Sequence, residues 1–434
     1  MRNEIAPVSP AEYLHFLLQW QHVEPGTQLH GKQGTLEIIR QLQGIELPAV
    51  AWEQEIFPRR IHQYDPAHME DLCLSGLVGW GRLRIHEQPV SAGNGLDELQ
   101  ELRQTRRRQK PSRSAPLAFF LREEIPQFID TALPALSALP GLTEAAKDVQ
   151  QFLQHFGASF LQEIATGTGR LAAEVEDALW ELVSRGLVTG DGVAGLRTLL
   201  LPPQKRRTPH QRLRVIKGGA GPNRLMPVGR WSLLRRTLNP LSQSSPFSSG
   251  LIEIESSRQK SPAPPSPEKL ALQFLRRYGI VTREVLSRET LYPGWRSLLA
   301  LFWRMEARGE IRGGRFVSGL PGEQFALPEA VDSLRSLRRS KNDPHPLTIV
   351  SSADPLNLIG ILTPGEKVSP FAGLAIAFDR GIPLEIGELG EVLSRLQKHF
   401  RRKVNCKLKR VLQGWSALEC NPFLDDQLLN PETL

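Results

Sequence analysis

Residues 267–327 change from a helical to an extended pattern within one short stretch, and few folds accommodate that order. Pro265 and Ser266 precede a helical run over 267–278 and Gly279 follows it, the start and stop signals that a helix requires. A second short run covers 282–289, and a third opens near Gly294. At about 100° per residue, Leu298, Leu301, Phe302 and Met305 share one side of the third helix. Arg296, Trp303 and Arg304 fall on the opposite side, with Arg308 near the boundary. Beyond Gly309 the pattern is extended over 310–317, turns through Gly319-Leu-Pro-Gly322 and extends again over 323–327, a hairpin signal. Three helices and a hairpin are the plan of a winged helix, whose later helix lies against a nucleic-acid groove. Arg296, Trp303, Arg304 and Arg308, with Arg312 and Arg315 on the wing, are the expected contacts. A solvated charged face, or a winged helix that binds protein, is the alternative.

The chain is mainly helical with small β units, an α+β class. Its 434 residues suggest about three domains. The 54 basic against 46 acidic residues, net +8, favour a polyanionic partner without identifying one. Cys73, Cys406 and Cys420 are too scattered for a disulfide framework or a CxxC metal site, and His68 near Cys73 has no second pair to complete one. No metal or other cofactor is expected. The cysteine usage suits a reducing cytosol. No apolar run reaches the roughly 20 residues of a membrane span, and the N-terminus lacks a signal-peptide core. A soluble, cytoplasmic protein is therefore expected.

Residues 1–100 read as a helical domain. Ser9-Pro-Ala-Glu12 is a capping-box pattern ahead of a helix whose buried stripe is Tyr13, Leu14, Leu17 and Leu18. Further helices are expected over 34–44, 49–64 and 67–75, with 76–83 extended. Residues 101–116 form a basic loop, and 117–201 give a second winged-helix pattern with helices over 143–156, 158–165 and 171–185 and a wing within 187–200. Glu174, Asp177 and Glu181 occupy the exposed side of its third helix, which suits a scaffold or a protein contact, because phosphate repels carboxylates. Residues 202–265, rich in Pro, Ser and Arg, read as a linker or insertion, with an island at 229–235 able to dock. The basic winged helix occupies 266–340. A small α+β domain covers 345–402, with a hairpin turn at Asp379-Arg-Gly381 and a helix over 388–400. Residues 403–434 are an unassigned tail.

A nucleotide motor needs a Gly-rich phosphate loop ending in Gly-Lys-Ser/Thr, and none is present. Hydrolase elbows, HExxH helices and zinc-deaminase spacings are also absent. Trp20 could stack a nucleic-acid base or fill an interdomain core. Gln41 and Gln43 place two amides on alternate positions. Such a pair could hold a water in a base-excision site, although most glutamine pairs only face solvent.

With residues 16–29, Gln41-Leu-Gln-Gly44, Trp52-Glu53, Tyr64-Asp-Pro66, 72–76, 174–183, 304–317, 322–328 and 352–358 in view, the chain resembles the carboxyl-terminal, non-motor part of the core of bacterial large helicase-related (Lhr) proteins. The resemblance runs to about residue 385 and fades after about 400. It implies a DNA-binding accessory region of a superfamily 2 helicase that grips single-stranded or forked DNA in repair; a split gene with the motor on a separate polypeptide, a truncated reading frame and an independent product all fit it. It also favours Trp20 as a stacking position. The same region is similar to AlkZ-like crosslink-repair DNA glycosylases, which carry a Gln-x-Gln or Gln-x-Asp pair matched in form by Gln41 and Gln43. A DNA glycosylase is thus the second reading, with Gln41 and Gln43 as its catalytic pair, and a protein-binding adaptor is the third.

Overall fold

The computed structural model describes residues 7–85, 115–129, 141–200, 229–235, 267–339, 347–371 and 373–401. Residues 101–114 of the basic loop, residues 202–228 and 236–265 of the linker, Cys406, Cys420 and the tail from 403 lie outside the described residues. Among the described residues, helices accompany five small sheets, four antiparallel and one parallel. The chain packs as two units. One comprises Met1–Gly34, Ala51–Tyr64 and Phe274–Leu434, the other Thr35–Val50 and Asp65–Gln273.

In the first unit, the Ser9 hydroxyl accepts the Glu12 N–H at 3.2 Å and the Glu12 carboxylate accepts the Ser9 N–H at 2.8 Å, so helix Pro10–Trp20 starts on a complete capping box. That helix buries the expected Tyr13, Leu14, Leu17 and Leu18, and Phe16 as well. The basic winged helix has the anticipated order. Thr282 caps Arg283–Leu286, a shorter helix than the sequence suggests, and Trp295–Ala307 begins at Gly294, whose φ of 96° suits glycine. Leu298, Leu301, Phe302 and Met305 are buried, with Phe302 stacked on Phe325 at 5.0 Å. Strands Arg312–Gly314 and Ile280–Val281 flank Gln324–Ala326. At the base of the wing the buried Gln324 amide accepts the N–H groups of Phe316 and Val317 and donates to the Val317 carbonyl, each at 2.8 Å. These bonds satisfy backbone that leaves the hairpin ladder.

The closing module of this unit is an antiparallel sheet of Thr348–Ser351, Leu374–Asp379 and Ile382–Glu388, followed by helix Leu389–Arg401. Leu347, Ile349, Ala375 and Ala377 pack against Val392 and Leu396. At the expected hairpin turn Arg380 and Gly381 both have positive φ, 50° and 77°, as a two-residue turn of the primed type needs. A side chain at 381 would also collide with the Ala11 carbonyl.

In the second unit, strand Pro116–Leu121 pairs with Leu47–Pro48 on one side and Val78–Gly81 on the other. Helices Glu144–Phe156, Leu161–Thr168 and Ala172–Ser184 follow. The wing differs from the expectation. Val188–Gly190 is a strand, but residues 194–200 form a helix, and the pairing strand is Trp231–Leu233 from the island at 229–235. The reason is packing: Trp231 meets the Trp180 ring edge-on at 5.2 Å and Trp80 at 6.2 Å, filling a three-tryptophan core. Glu181 also departs from the expectation. It is buried, and its carboxylate accepts the Thr143 N–H at 3.0 Å and the Thr143 hydroxyl at 2.7 Å, tying the start of the first helix to the third.

Candidate nucleic-acid interface

The inward stripe of helix Trp295–Ala307 forces its remaining positions outward. Arg296, Trp303, Arg304 and Arg308 are exposed, as are Arg312 and Arg315 on the wing. The face is not uniformly basic. The Trp303 indole N–H donates to Glu323 Oε2 at 2.7 Å, which fixes a ring that is 47% exposed. The Arg308 guanidinium grips Glu310 at 2.6 and 3.1 Å and holds that carboxyl below its usual range. Among the described residues, Arg296, Arg304, Arg312 and Arg315 form no ion pair. Four guanidinium groups thus remain available for phosphate oxygens, and a planar aromatic stands beside them.

The other expected positions are more committed. Trp20 is half-buried, lies against Phe16 at 5.4 Å and donates its indole N–H to the Arg276 carbonyl at 2.9 Å. Gln43 is fully buried. Its amide nitrogen reaches Glu124 at 2.7 Å and Gln273 at 3.2 Å, and its oxygen accepts the Leu121 N–H at 3.1 Å. Gln41 is 9% exposed, and its backbone carbonyl accepts from Gln273 at 2.8 Å. Both glutamines therefore help to hold the second unit together. Among the described residues no group of three or more His, Cys, Asp or Glu could bind a metal, and no helix is long and apolar enough to cross a membrane.

Sequence reasoning missed a charged cluster in the first unit. Arg60 and Asp354, both without exposed side-chain surface, form a bidentate pair at 2.7 and 2.8 Å, and Gln21 accepts from the same guanidinium at 3.1 Å. Just before it, a π-helical turn at Trp52–Ile56 carries Glu55, which accepts the Gly373 N–H at 2.9 Å. Burial raises the Glu55 pKa, opposed by hydrogen bonds from Ser351 and Gly373. Burial lowers that of Arg59 to about 9. Only the Ser352–Leu358 stretch of the resemblance pointed to this place, and nothing in it named Arg60 as the partner.

Residues 261–346 match the fourth winged-helix domain of large helicase-related proteins, and residues 8–93 match the third. The chain is similar to a C-terminal region of large helicase-related proteins. The first of these matches covers the basic winged helix, and the second falls on residues that the sequence read as a helical domain. The Lhr helicase/probable uracil glycosylase of Mycolicibacterium smegmatis is 29% identical over 368 residues, 83% of this chain and 21% of that protein. The Lhr helicase/uracil glycosylase of Escherichia coli is 29% identical over 397 residues, 84% of this chain and 22% of that protein. The chain thus spans about a fifth of the length of these Lhr relatives.

Proposed function

We propose that this chain is the DNA-binding accessory region of an Lhr-type helicase, gripping single-stranded or forked DNA during repair in the cytoplasm. One observation carries the reading: Arg296, Arg304, Arg312 and Arg315 share the exposed helix-and-wing surface of one winged helix and have no carboxylate partner among the described residues. Arginines so placed would neutralise phosphates and release counterions, which makes affinity fall steeply with salt. Trp303, fixed by Glu323, would stack a base between those contacts, with Trp20 as a second stacking position. Salt titration of binding to a labelled fork tests the proposal. A steep slope that flattens in Arg304→Glu with Arg308→Glu is expected, and an unchanged affinity and slope would remove this surface from the reading.

A second reading is DNA base excision, favoured by the names of the two relatives. Its residues would be Gln41 and Gln43, yet the Gln43 amide would have to give up Glu124, Gln273 and Leu121 to hold a water. Alkali-induced breaks in uracil-containing DNA that vanish in Gln41→Ala and Gln43→Ala would establish it. Binding without breaks would leave the accessory role alone.

A further inference from the structure

The first exposed residue of a helix usually serves the backbone. In this chain Ser9, Asp65, Thr143 and Thr282 each accept a helix N–H with a side-chain oxygen. Two consecutive helices of the acidic module break the rule. Phe160 is the N-cap of Leu161–Thr168 and Leu171 that of Ala172–Ser184. In both, only the returning half of a capping box exists: Glu163 accepts the Phe160 N–H at 2.7 Å and Glu174 accepts the Leu171 N–H at 3.2 Å. An apolar residue cannot supply the other half. Nor does burial explain the choice, since Phe160 is 48% and Leu171 72% exposed.

These side chains lie on consecutive helices of one module. Asp148 binds Arg170 at 2.6 Å, and Phe152 lies where a side chain at Gly167 would stand, so the end of helix Leu161–Thr168 packs on Glu144–Phe156. Phe152 touches Phe156 at 4.6 Å, and Phe156, 65% exposed, ends the first helix four residues before Phe160. Phe160 and Leu171 bracket the intervening helix, about 12 Å at 1.5 Å per residue, or roughly two turns of a helix laid alongside. The rim is acidic: Glu163, Glu174 and Asp177 are exposed, while the cations Lys147 and Arg170 are already paired with Glu144 and Asp148.

We propose that Phe156, Phe160 and Leu171 together form a docking surface for a basic amphipathic helix of another protein, with apolar residues at i, i+3 or i+4 and i+7 set against them and with Lys or Arg facing the carboxylates. Charge complementarity selects this occupant, and the acidic rim repels nucleic acid. Helix capping is given up where a binding surface is needed, a local conflict of the kind found at functional sites. The proposal does not depend on DNA binding by the other winged helix.

The test uses the full chain and a labelled model peptide of leucine and lysine at amphipathic helical spacing, read by fluorescence anisotropy, with a leucine–glutamate peptide as control. Phe160→Ser with Leu171→Ser should weaken the lysine peptide at least about tenfold, raise the melting temperature by restoring two caps and leave DNA binding unchanged. A lower melting temperature in the serine variants would mean that the side chains serve packing, which overturns the proposal. So would equal binding of the glutamate peptide, or a concentration-dependent self-association of the chain that the same substitutions abolish.

Discussion

The basic winged helix and the acidic helical module of this chain agree in their inward positions and differ in their outward ones. Helices Trp295–Ala307 and Ala172–Ser184 are each 13 residues long and each buries an apolar stripe. The first presents Arg296, Trp303 and Arg304 to solvent, the second Glu174 and Asp177. Their strands are also paired differently. The basic module closes on a local hairpin at 312–326, while the acidic one borrows strand Trp231–Leu233 from some 40 residues away. Inward positions decide that the fold forms, and outward positions decide what it can touch. A borrowed strand further makes the acidic module depend on distant packing, which suits a scaffold.

The strongest way to break that contrast is Trp231→Ala. Loss of a buried tryptophan from the three-ring core should cost about 3–5 kcal/mol in urea denaturation and leave the salt slope of DNA binding intact. Little change would show that the borrowed strand is not integral to the acidic module. Next in size, reversing Arg304 and Arg308 to Glu should weaken DNA binding by roughly 10- to 100-fold and lower the slope of log K against log salt by about 1.4 on a single strand. Converting Glu174 and Asp177 to Arg asks whether charge alone separates the modules; a gain in DNA affinity of about 1 kcal/mol is expected, and no gain would mean that wing geometry matters more.

The smallest effect is a pH dependence. Arg308 lowers the Glu310 pKa in the free protein. Phosphate that draws Arg308 away lets this pKa rise, so binding takes up protons and should tighten as pH falls through the carboxylate range. Because the pair is exposed, a change of about twofold is expected, absent in Glu310→Gln. An identical pH profile in that variant would show that Arg308 keeps its carboxylate when DNA binds.

Much of the first unit was legible because its signals are local. The stripe of Leu298, Leu301, Phe302 and Met305, the Ser9–Glu12 capping box and the Asp379–Gly381 turn each depend on residues within a few positions of one another, and the structure has all three. Glu181 misled because helical spacing places it outward, whereas Thr143 supplies a partner 38 residues away. Gln41 and Gln43 looked like a paired site because spacing is visible in a sequence and commitment is not.

The sequence by itself determined most of the helices, the Ser9–Glu12 cap, the hairpin of the basic module and the Asp379–Gly381 turn, since backbone sterics and side-chain periodicity act over one or two turns. Tertiary structure alone decided which strand completes the acidic wing, that Arg60 meets Asp354 across 294 residues and that Gln43 is consumed by Gln273 and Glu124. Those choices arise because a buried polar group or half-formed sheet edge must find a partner wherever folding brings one within hydrogen-bond reach. A distance of about 3 Å in space leaves no period in the chain.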